Sequence, residues 1–329
     1  MSSFKFIDLF AGIGGFRKAF DSAGGKCVMT VEIDKYARQT YAANYEIDHP
    51  FFMDVTKVNE DEDVPEHDVL LAGFPCQAFS RGGYEQGFKD SKGRGTLFFD
   101  VMRIAEAKKP KVIVLENVKN LLSHDKGNTF QVIKDCIENK LGYHLTYRVV
   151  NSAGDVPQKR ERIYLVAFRD ENDYDINNVY FPEVENGPKL SSILHNSEDL
   201  YEEAFLDKEG NVLDKFTLGE KTFQCLERHK QSHKNKGNGF GYSIVDKNDV
   251  ARTMSARYHK DGSEILIKTN GDIPRKLTPR EASRLMGFDK PNCSDFIIPV
   301  SNSQAYKQFG NSVVVPTIER IANSIKPYI

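Results

Sequence analysis

One feature constrains the fold of this chain more than any other: short apolar runs alternate with helix-like segments through about its first 170 residues. The pattern predicts strands at 4–8, 26–32, 68–72, 111–115, 143–151 and 163–168, with helices at 16–23, 35–44, 96–107 and 127–139. Strand, helix and strand in this order are typical of βαβ units, which build a parallel sheet. We therefore predict an α/β fold with a Rossmann-like, mostly parallel sheet.

The second part of the chain has a different composition. Residues 171–275 are rich in Asn, Asp, Gly and Lys, and no long periodic stretch runs through them. Helical patterns return at 279–286 and 317–325, where Pro316 is placed to begin the last helix. We expect a first domain at 1–187 and a second, smaller, irregular and β-rich domain at 188–300. A C-terminal segment at 301–329 is expected to return to the first domain.

Composition narrows the class of protein. Of the 329 residues 40% are hydrophobic, which is enough for a full core, and the formal net charge is −2. The five cysteines are scattered without a C-x-x-C pair, so we expect no metal site and no redox dithiol. We find no signal peptide, and no apolar run approaches the roughly 20 residues that span a bilayer. The expectation is a cytoplasmic protein without a membrane partner.

A glycine-rich turn follows the first predicted strand. Gly12, Gly14 and Gly15 stand between that strand and the first helix, where they permit a tight turn and a close approach by a ligand. Glu32 ends the second strand, where its carboxylate can accept from both hydroxyls of a ribose. The dinucleotide fingerprint G-x-G-x-x-G is absent, so S-adenosylmethionine, which has no pyrophosphate, fits better than NAD. A purely structural turn is the alternative.

A cysteine follows the third predicted strand, in the segment Gly-Phe-Pro-Cys-Gln-Ala-Phe-Ser at 73–80. Pro75 fixes the backbone before Cys76, and the glycine-rich, polar stretch at 81–95 is typical of a mobile lid. A lone cysteine is most often a buried, unreactive thiol. The position of Cys76 on this loop, beside the predicted cofactor turn, favours a nucleophile instead.

Two further elements carry groups that suit catalysis. Glu116 closes the strand at 111–115 and is a candidate general acid, with a helix cap or surface carboxylate as the alternative. Arg160 and Arg162 are two residues apart, so on an extended segment their side chains point to one face. Two guanidinium groups on one face suit an anion or the oxygen of a nucleobase, and the alternative is a solvated charge run.

Together these segments resemble the 5-methylcytosine DNA methyltransferases, especially the bacterial enzymes of restriction–modification systems. The resemblance runs over nearly the whole chain, and nine segments occur in the order of that family. They are DLFAGIGGF, VEID, DVT, GFPCQAFS, GTLFFDVMRI, ENVKNLL, QKRERIYLVAF, RKLTPREASRLMGF and QFGNSVVVPTIERI. The fold implied is that of the S-adenosylmethionine-dependent methyltransferases, with a catalytic first domain and a target-recognition second domain.

The resemblance also implies a role for individual residues. Cys76 matches the nucleophile, Glu116 the carboxyl that holds cytosine N3 and the amino group, and Arg160 and Arg162 the arginines that position the base. Residues that match the S-adenosylmethionine pocket are Phe10, Ala11, Gly12, Ile13, Gly14, Gly15, Glu32, Ile33, Asp54, Val55, Gly73, Pro75, Leu97, Asn311, Ser312 and Val313. Thr253 resembles a threonine of the family's DNA-facing segment, and Gln77, Ser80, Arg81 and Arg257 are further expected DNA contacts.

The chemistry of the family requires a protein pocket for a cytosine that has left the DNA double helix. A thiolate that adds to C6 of cytosine makes C5 nucleophilic, and burial should raise the pKa of Glu116 so that it can donate to N3. The target cytosine must leave the duplex for this reaction. The expected partner is double-stranded DNA, bound by a monomer, and a cognate restriction endonuclease would act on the same site. Arg228, Lys230, Lys234 and Lys236 are further candidates for groove or phosphate contacts.

Two details depart from the family. Ile33 stands where some relatives have an aromatic residue that stacks on adenine, which predicts looser adenine contacts. The stretch at 92–95 makes the lid slightly longer than in the shortest relatives.

Other functions account for fewer of these residues. An NAD-dependent oxidoreductase would share the fold but leave Cys76 and the two arginines without a role. A tRNA cytosine methyltransferase would share Cys76 and Glu116, so only the substrate separates it from a DNA enzyme. A catalytically dead binding protein should have lost one of these two residues, and both are present. The enzymes that methylate amino groups of DNA bases are disfavoured because no [D/N/S]-P-P-[Y/F/W] segment occurs.

Overall fold

The structure is a computed structural model that describes residues 3–75, 97–197, 199–237, 241–290 and 292–329. The chain divides into two compact units. The first unit comprises Met1–Val150, Glu161–Phe181 and Val315–Ile329. The second unit comprises Asn151–Arg160 and Pro182–Val314. Both units are therefore assembled from segments that are discontinuous in sequence.

The described residues contain twelve strands, which lie at Lys5–Leu9 (β1), Lys26–Val31 (β2), Phe51–Phe52 (β3), Val69–Ala72 (β4), Val112–Val118 (β5), His144–Asn151 (β6), Gln158–Lys159 (β7), Glu161–Phe168 (β8), Ile244–Val245 (β9), Ala251–Arg252 (β10), Leu266–Ile267 (β11) and Arg275–Lys276 (β12). The same residues contain eight α-helices, which lie at Gly15–Ser22 (α1), Lys35–Asn44 (α2), Leu97–Lys108 (α3), Asn128–Asp135 (α4), Glu220–Asn235 (α5), Pro279–Leu285 (α6), Asn302–Asn311 (α7) and Val315–Ile325 (α8).

A seven-stranded sheet organises the first unit. Its strands lie in the order β3-β2-β1-β4-β5-β8-β6. The pairs from β3 to β5 are parallel, whereas β5 and β8 are antiparallel. The prediction of an α/β fold with a mostly parallel sheet is confirmed. The strand order reverses between β1 and β4, and at such a switch point the carboxyl ends of the strands leave a crevice for a ligand.

The central strands are apolar on both faces. Phe6 and Ile7 of β1 and Leu70 and Leu71 of β4, adjacent residues whose side chains point to opposite faces, have no exposed surface. Continuous apolar runs of this kind are typical of parallel strands that are covered on both sides. Helix α8 packs against α1, and Val315–Ile329 belong to the first unit.

The second unit consists mostly of loops and helices. Its strands in the described residues are β7, β9, β10, β11 and β12, each of two residues, whereas its helices α5, α6 and α7 have 16, 7 and 10 residues. The prediction that the second domain is β-rich is wrong for these residues. Its polar sequence forms side-chain turns instead, as where Asp207 accepts from the amides of Glu209 and Asn211.

Buried charges hold α6 inside the second unit. Every residue of this helix is buried, and a capping box between Thr278 and Glu281 begins it. Burial alone would favour neutral Glu281, but the guanidinium of Arg275, 2.7 Å away, holds the pKa of Glu281 below its ordinary value. Arg284 pairs with buried Asp199 at 2.7 Å. Removal of one partner from such a pair typically costs about 3–5 kcal/mol, because the other charge is left buried.

The limits of the units differ from the predicted domain limits at 187 and 300. The second unit begins at Pro182 and extends to Val314, and it also takes in Asn151–Arg160. That segment stands between β6 and β8, which both belong to the large sheet, so the sequence pattern assigns it to the first domain. In the structure β7 leaves that sheet and pairs in parallel with β10.

Candidate active site

The glycine turn lies at the carboxyl end of β1, beside the switch point. Phe10, Gly12 and Gly14 all have positive φ, at 61°, 57° and 83°, and Gly14 caps α1. The amide of Gly12 donates to Oε2 of Glu32 at 2.7 Å. A Cβ added to Gly12 would meet no atom within 4 Å, so the space above this residue is open. The turn therefore leaves room for a ligand close to its backbone.

Glu32 joins the glycine turn to the end of β2. Its Oε1 accepts from the amide of Asp34 at 2.7 Å, and its side chain is almost fully buried. Burial raises the pKa of Glu32 above its ordinary value, while the amides of Asp34 and Gly12 act in the opposite direction. An ionised carboxylate has about four acceptor positions, so two remain for the hydroxyls of a ribose.

The other predicted pocket residues near this turn differ in exposure. Ile33 is 70% exposed, which leaves its side chain accessible to an adenine ring. Oδ1 of Asp54 accepts from the amide and hydroxyl of Thr56, at 3.0 and 2.8 Å, and begins the 3₁₀ turn at Val55–Lys57. Four other predicted residues, Ala11, Ile13, Gly15 and Val55, are buried, and their assignment to the pocket stays a prediction.

Glu116 and Arg162 meet at the ends of two neighbouring strands. Glu116 lies in β5 and Arg162 in β8, and Nε of Arg162 is 3.0 Å from Oε1 of Glu116. Both side chains are largely buried, at 13% and 15% exposed. A Cβ on Gly73, at the end of β4, would lie 3.6 Å from Oε2 of Glu116. The structure thus brings together three residues predicted from separate segments.

Asn117 is a residue of this edge that the sequence analysis did not single out. Its side chain is buried, and its Nδ2 donates to the carbonyl of Phe74 at 2.9 Å. Its Oδ1 accepts from the amide of Val118 at 2.8 Å. The Asn117 amide therefore fixes the backbone two residues before Cys76. The sequence signal for Asn117 was its position beside Glu116 in the segment ENVKNLL, but the sequence analysis considered only the carboxylate of Glu116.

Arg160 does not join Arg162. It belongs to the second unit, is 1% exposed, and donates to the backbone carbonyls of Met254, Gly310 and Ser312. The expectation that the two arginines share one face assumed an extended segment. The amide of Arg160 instead donates to the carbonyl of Gln158 at 2.9 Å, a tight turn that breaks the alternation. This placement therefore disfavours direct contact between Arg160 and a base.

The predicted nucleophile and the whole predicted lid lie outside the described residues. These are Cys76, Gln77, Ser80, Arg81 and the remaining positions up to 96. Pro75 is the last described residue before them and is exposed. Leu97, at the start of α3, packs against the core of the first unit.

The remaining predicted contacts belong to the second unit. Thr253 donates to the carbonyl of Lys159 at 2.6 Å, and Arg257 is exposed. Asn311 is exposed, Ser312 half-buried and Val313 buried. No residue of α5 is buried, so Arg228, Lys230 and Lys234 can reach a partner in solution. Their assignment to cofactor or DNA stays a prediction.

No cluster of three or more His, Cys, Asp or Glu side chains in the described residues is arranged to hold a metal ion. No helix in those parts of the chain is long and apolar enough to cross a membrane.

A switch point in the strand order, a glycine turn with an acidic partner, and a Glu–Arg pair at a nearby strand end are together typical of a methyltransferase of the α/β class. Residues 4–327 match the family of C-5 cytosine-specific DNA methylases, and the chain belongs to this family. The prediction of a DNA (cytosine-5-)-methyltransferase of the bacterial restriction–modification type is confirmed.

Individual relatives agree with this assignment. The type II methyltransferase M.NlaX of Neisseria lactamica is 47% identical over 328 residues, covering 98% of this chain and 96% of its own. The type II methyltransferase M.DsaV of Dactylococcopsis salina is 45% identical over 327 residues, covering 99% and 86%. The crystal structure of S. pombe Dnmt2 methyltransferase superposes with a TM-score of 0.74 at 18% identity over 99% of each chain, which is a likeness of fold.

Proposed function

We propose that this protein transfers a methyl group from S-adenosylmethionine to C5 of a cytosine that is flipped out of duplex DNA within a specific short sequence. The observation that carries the proposal is the meeting of Gly73, Glu116 and Arg162 at one edge of the sheet. This edge also bears the glycine turn and Glu32 on neighbouring strands. Membership of the family supports the same reaction.

The residues at the glycine turn fit S-adenosylmethionine. Open space above Gly12 admits a nucleoside close to the backbone, and Glu32 retains acceptor positions for the ribose. Exposed Ile33 offers an apolar surface to the adenine. When bound, the cofactor supplies a methyl group on a positively charged sulfur.

Cys76 is the proposed nucleophile, and its thiolate forms a bond to C6 of cytosine. The electron pair of the C5–C6 double bond moves to C5, which takes the methyl group and leaves S-adenosylhomocysteine. A base then removes the C5 proton, and the C6–S bond breaks to restore the double bond and the thiolate. Cysteine suits this role because a thiolate is strongly nucleophilic even when it is a minor fraction at neutral pH.

Glu116 and Arg162 act on the far side of the same ring. In the free protein Glu116 is the acceptor of an ion pair with Arg162. When cytosine enters, Glu116 binds N3 and the amino group, and a proton shared with N3 stabilises the negative charge that develops in the ring. Arg162 pairs with Glu116, and in this proposal it donates to the O2 oxygen of the base.

The second unit is the proposed reader of the DNA sequence. A base edge is read by side chains in a groove, and phosphates are met by basic residues. Arg257 and the basic residues of exposed α5 are available for these contacts. A monomer suffices because one flipped base needs one active site, and a restriction endonuclease of the same site would be the functional counterpart in the cytoplasm.

The experiment is a methyl-transfer assay with labelled S-adenosylmethionine on duplex DNA and, in parallel, on total tRNA. We expect label in the duplex and none in the tRNA, with bisulfite sequencing placing the modified cytosines in one short recurring sequence. Label confined to tRNA would overturn the proposal in favour of a tRNA cytosine methyltransferase. Label in DNA but on adenine or on the cytosine amino group would overturn the chemistry proposed for Cys76 and Glu116.

A further inference from the structure

The glycine turn at 11–14 has no polar side chain of its own to hold its shape. Its sequence is Ala-Gly-Ile-Gly, and Gly14 begins α1 without a side-chain cap. Phe10, directly before the turn, has a positive φ of 61°, and a residue with a side chain keeps this conformation only where its surroundings fix it. The shape of the turn therefore depends on partners from other parts of the first unit.

The end of β2 holds the first half of the turn. The amide of Ala11 donates to the carbonyl of Val31 at 3.0 Å, and the amide of Gly12 donates to Oε2 of Glu32 at 2.7 Å. The amide of Gly14 then closes the turn on the carbonyl of Ala11 at 2.9 Å. These contacts use the amides of the turn and leave the carbonyl of Gly14 for a partner from elsewhere.

Tyr45 holds the second half of the turn. It directly follows α2, and its hydroxyl donates to the carbonyl of Gly14 at 2.8 Å. A Cβ on Gly14 would overlap the Tyr45 ring, so the ring packs directly on the backbone of the turn. The same carbonyl accepts the first hydrogen bond of α1, from the amide of Lys18 at 2.9 Å. Tyr45 therefore binds the turn at the residue where α1 begins.

Gly12 and Gly14 lack a side chain for different reasons. A Cβ on Gly12 would meet no atom within 4 Å, whereas the equivalent position on Gly14 is occupied by the Tyr45 ring. The open space beside Gly12 can admit a ligand. The occupied space beside Gly14 fixes the backbone two residues later. The turn thus combines one position that is open to a ligand with one that is supported by Tyr45.

Two neighbours fix the ring of Tyr45 in turn. The ring centroid of Tyr41 is 4.8 Å from that of Tyr45, and the guanidinium of Arg17 lies 5.5 Å from the Tyr45 ring centroid. Arg17 belongs to α1 and also donates to the hydroxyl of Tyr41 at 3.3 Å. Burial raises the pKa of Tyr45 above its ordinary value, so its hydroxyl remains a donor at neutral pH. Tyr45 can therefore restrict the turn before any ligand binds.

We infer that Tyr45 is a positioning residue for the cofactor, and that its hydroxyl holds the glycine turn in the shape that binds S-adenosylmethionine. This inference rests on the proposed function. A loop that is already rigid in its bound shape loses less conformational entropy when the ligand binds, so the affinity is higher. Because Tyr45 acts through the backbone of Gly14, it contributes to cofactor affinity and takes no part in the chemical step.

The test compares two tyrosines of the first unit that each donate to a backbone carbonyl. Tyr45→Phe keeps the ring against Gly14 and removes only the hydroxyl. Tyr143→Phe is the matched control, because the Tyr143 hydroxyl donates to the carbonyl of Pro110 at 2.7 Å, before the start of β5. Pro110 and Glu116 lie at opposite ends of that strand, so the control removes a similar hydrogen bond away from the candidate site.

Calorimetric titration of the full chain with S-adenosylhomocysteine measures the effect on binding. We expect the Kd to rise by about 3- to 10-fold in Tyr45→Phe, the usual effect of one hydrogen bond, and to stay within about twofold of the wild type in Tyr143→Phe. The melting temperatures of both variants should fall by similar amounts, since each loses one hydrogen bond. Tyr45→Ala, which also removes the ring, should raise the Kd further.

Steady-state kinetics add a readout that a loss of stability alone does not change. In Tyr45→Phe the KM for S-adenosylmethionine should rise by the same factor as the Kd. The kcat and the KM for the DNA duplex should match those of the wild type. A fall in kcat with an unchanged KM for S-adenosylmethionine would contradict a role in cofactor positioning.

The outcomes separate this inference from the proposed function. An unchanged Kd in Tyr45→Phe overturns the inference, and so does an equal rise in Tyr45→Phe and Tyr143→Phe. A rise confined to Tyr45→Ala would assign the effect to the ring and overturn the role of the hydroxyl. The titrations need no methyl transfer, so a wild type that binds S-adenosylhomocysteine but methylates no DNA contradicts the proposed function alone.

Discussion

Arg160 and Arg162 stand two residues apart, yet they serve different regions of the molecule. Arg162 completes an edge of polar side chains at the ends of β4, β5 and β8, where it pairs with Glu116. Arg160 is enclosed by backbone carbonyls of the second unit. Under the proposed function the first region presents side chains to a substrate, whereas in the second region the side chain of Arg160 binds backbone carbonyls. The difference teaches that similar residues in one basic segment can divide between chemistry and positioning.

The largest effect is expected at the strand-end region. Glu116→Gln keeps the shape of the side chain but removes the carboxyl that shares a proton with N3. We expect kcat to fall by about 10²–10⁴-fold, the usual contribution of a positioned acid or base, with cofactor affinity unchanged. Single-turnover methylation and titration with S-adenosylhomocysteine measure the two quantities.

Glu161→Gln is the matched control for this variant. Glu161 lies one residue from Arg162 and pairs with Lys119 at 3.1 Å on an exposed surface. Such pairs contribute little, so the control should retain kcat. Loss of cofactor binding in Glu116→Gln, with kcat maintained, would show that Glu116 takes no part in the chemical step.

A smaller effect is expected where the same region fixes its backbone. Asn117→Ala removes the donor to Phe74 O and leaves the approach to Cys76 less constrained. Because small misplacements of a reacting group are costly, we expect kcat to fall by about 10–100-fold while the KM values for both substrates stay within about twofold. Steady-state kinetics in both substrates measure this split.

Asn120→Ala is the control for Asn117→Ala, since Asn120 is exposed in the turn after β5. A rise in KM for DNA without a fall in kcat would show that Asn117 contributes to DNA binding and not to the reaction. The proposed difference between the strand-end region and the surroundings of Arg160 would then be wrong.

The smallest effect is a pH dependence at Glu32. Burial raises the pKa of Glu32, so its carboxylate takes up a proton at a higher pH than the ordinary value of 4.5 as the solution is acidified. The protonated form is a poorer acceptor for the ribose, and we therefore expect the Kd of S-adenosylmethionine to increase as the pH falls toward that raised pKa. Glu32→Gln should bind about 10-fold more weakly at neutral pH and show a flat profile over the same range.

Calorimetric titrations at a series of pH values measure this dependence. A profile in Glu32→Gln that still follows that of the wild type would show that another group controls cofactor affinity.

Regular elements and strand ends could be predicted from the sequence, for a physical reason. Buried parallel strands need apolar runs, and the end of each run shows where the strand ends. Glu32, Gly73 and Glu116 directly follow such runs, so their position at the carboxyl edge of the sheet could be predicted. The meeting of Glu116 with Arg162 depends on the antiparallel pairing of β5 with β8, which a strand pattern alone does not specify.

The second unit was harder to predict because its contacts are long-range. Asn151–Arg160 belong to the second unit because β7 pairs with β10, which lies about a hundred positions later in the chain. Helix α7 has few apolar residues, and its buried Tyr306 and Phe309 gain their partners only in the folded unit. Local propensity is a weak guide where tertiary contacts decide the structure.

The most direct test of the central claim is covalent capture by Cys76. A duplex that carries 5-fluorocytosine at the cytosine located by bisulfite sequencing cannot lose a proton from C5, so the enzyme should stay attached after methyl transfer. Mass spectrometry of the wild type should show one adduct, mapped to the peptide that contains Cys76. Cys76→Ser should bind the duplex, form no adduct and transfer no methyl group. Methyl transfer by Cys76→Ser, or turnover of the wild type on 5-fluorocytosine without an adduct, would contradict the mechanism.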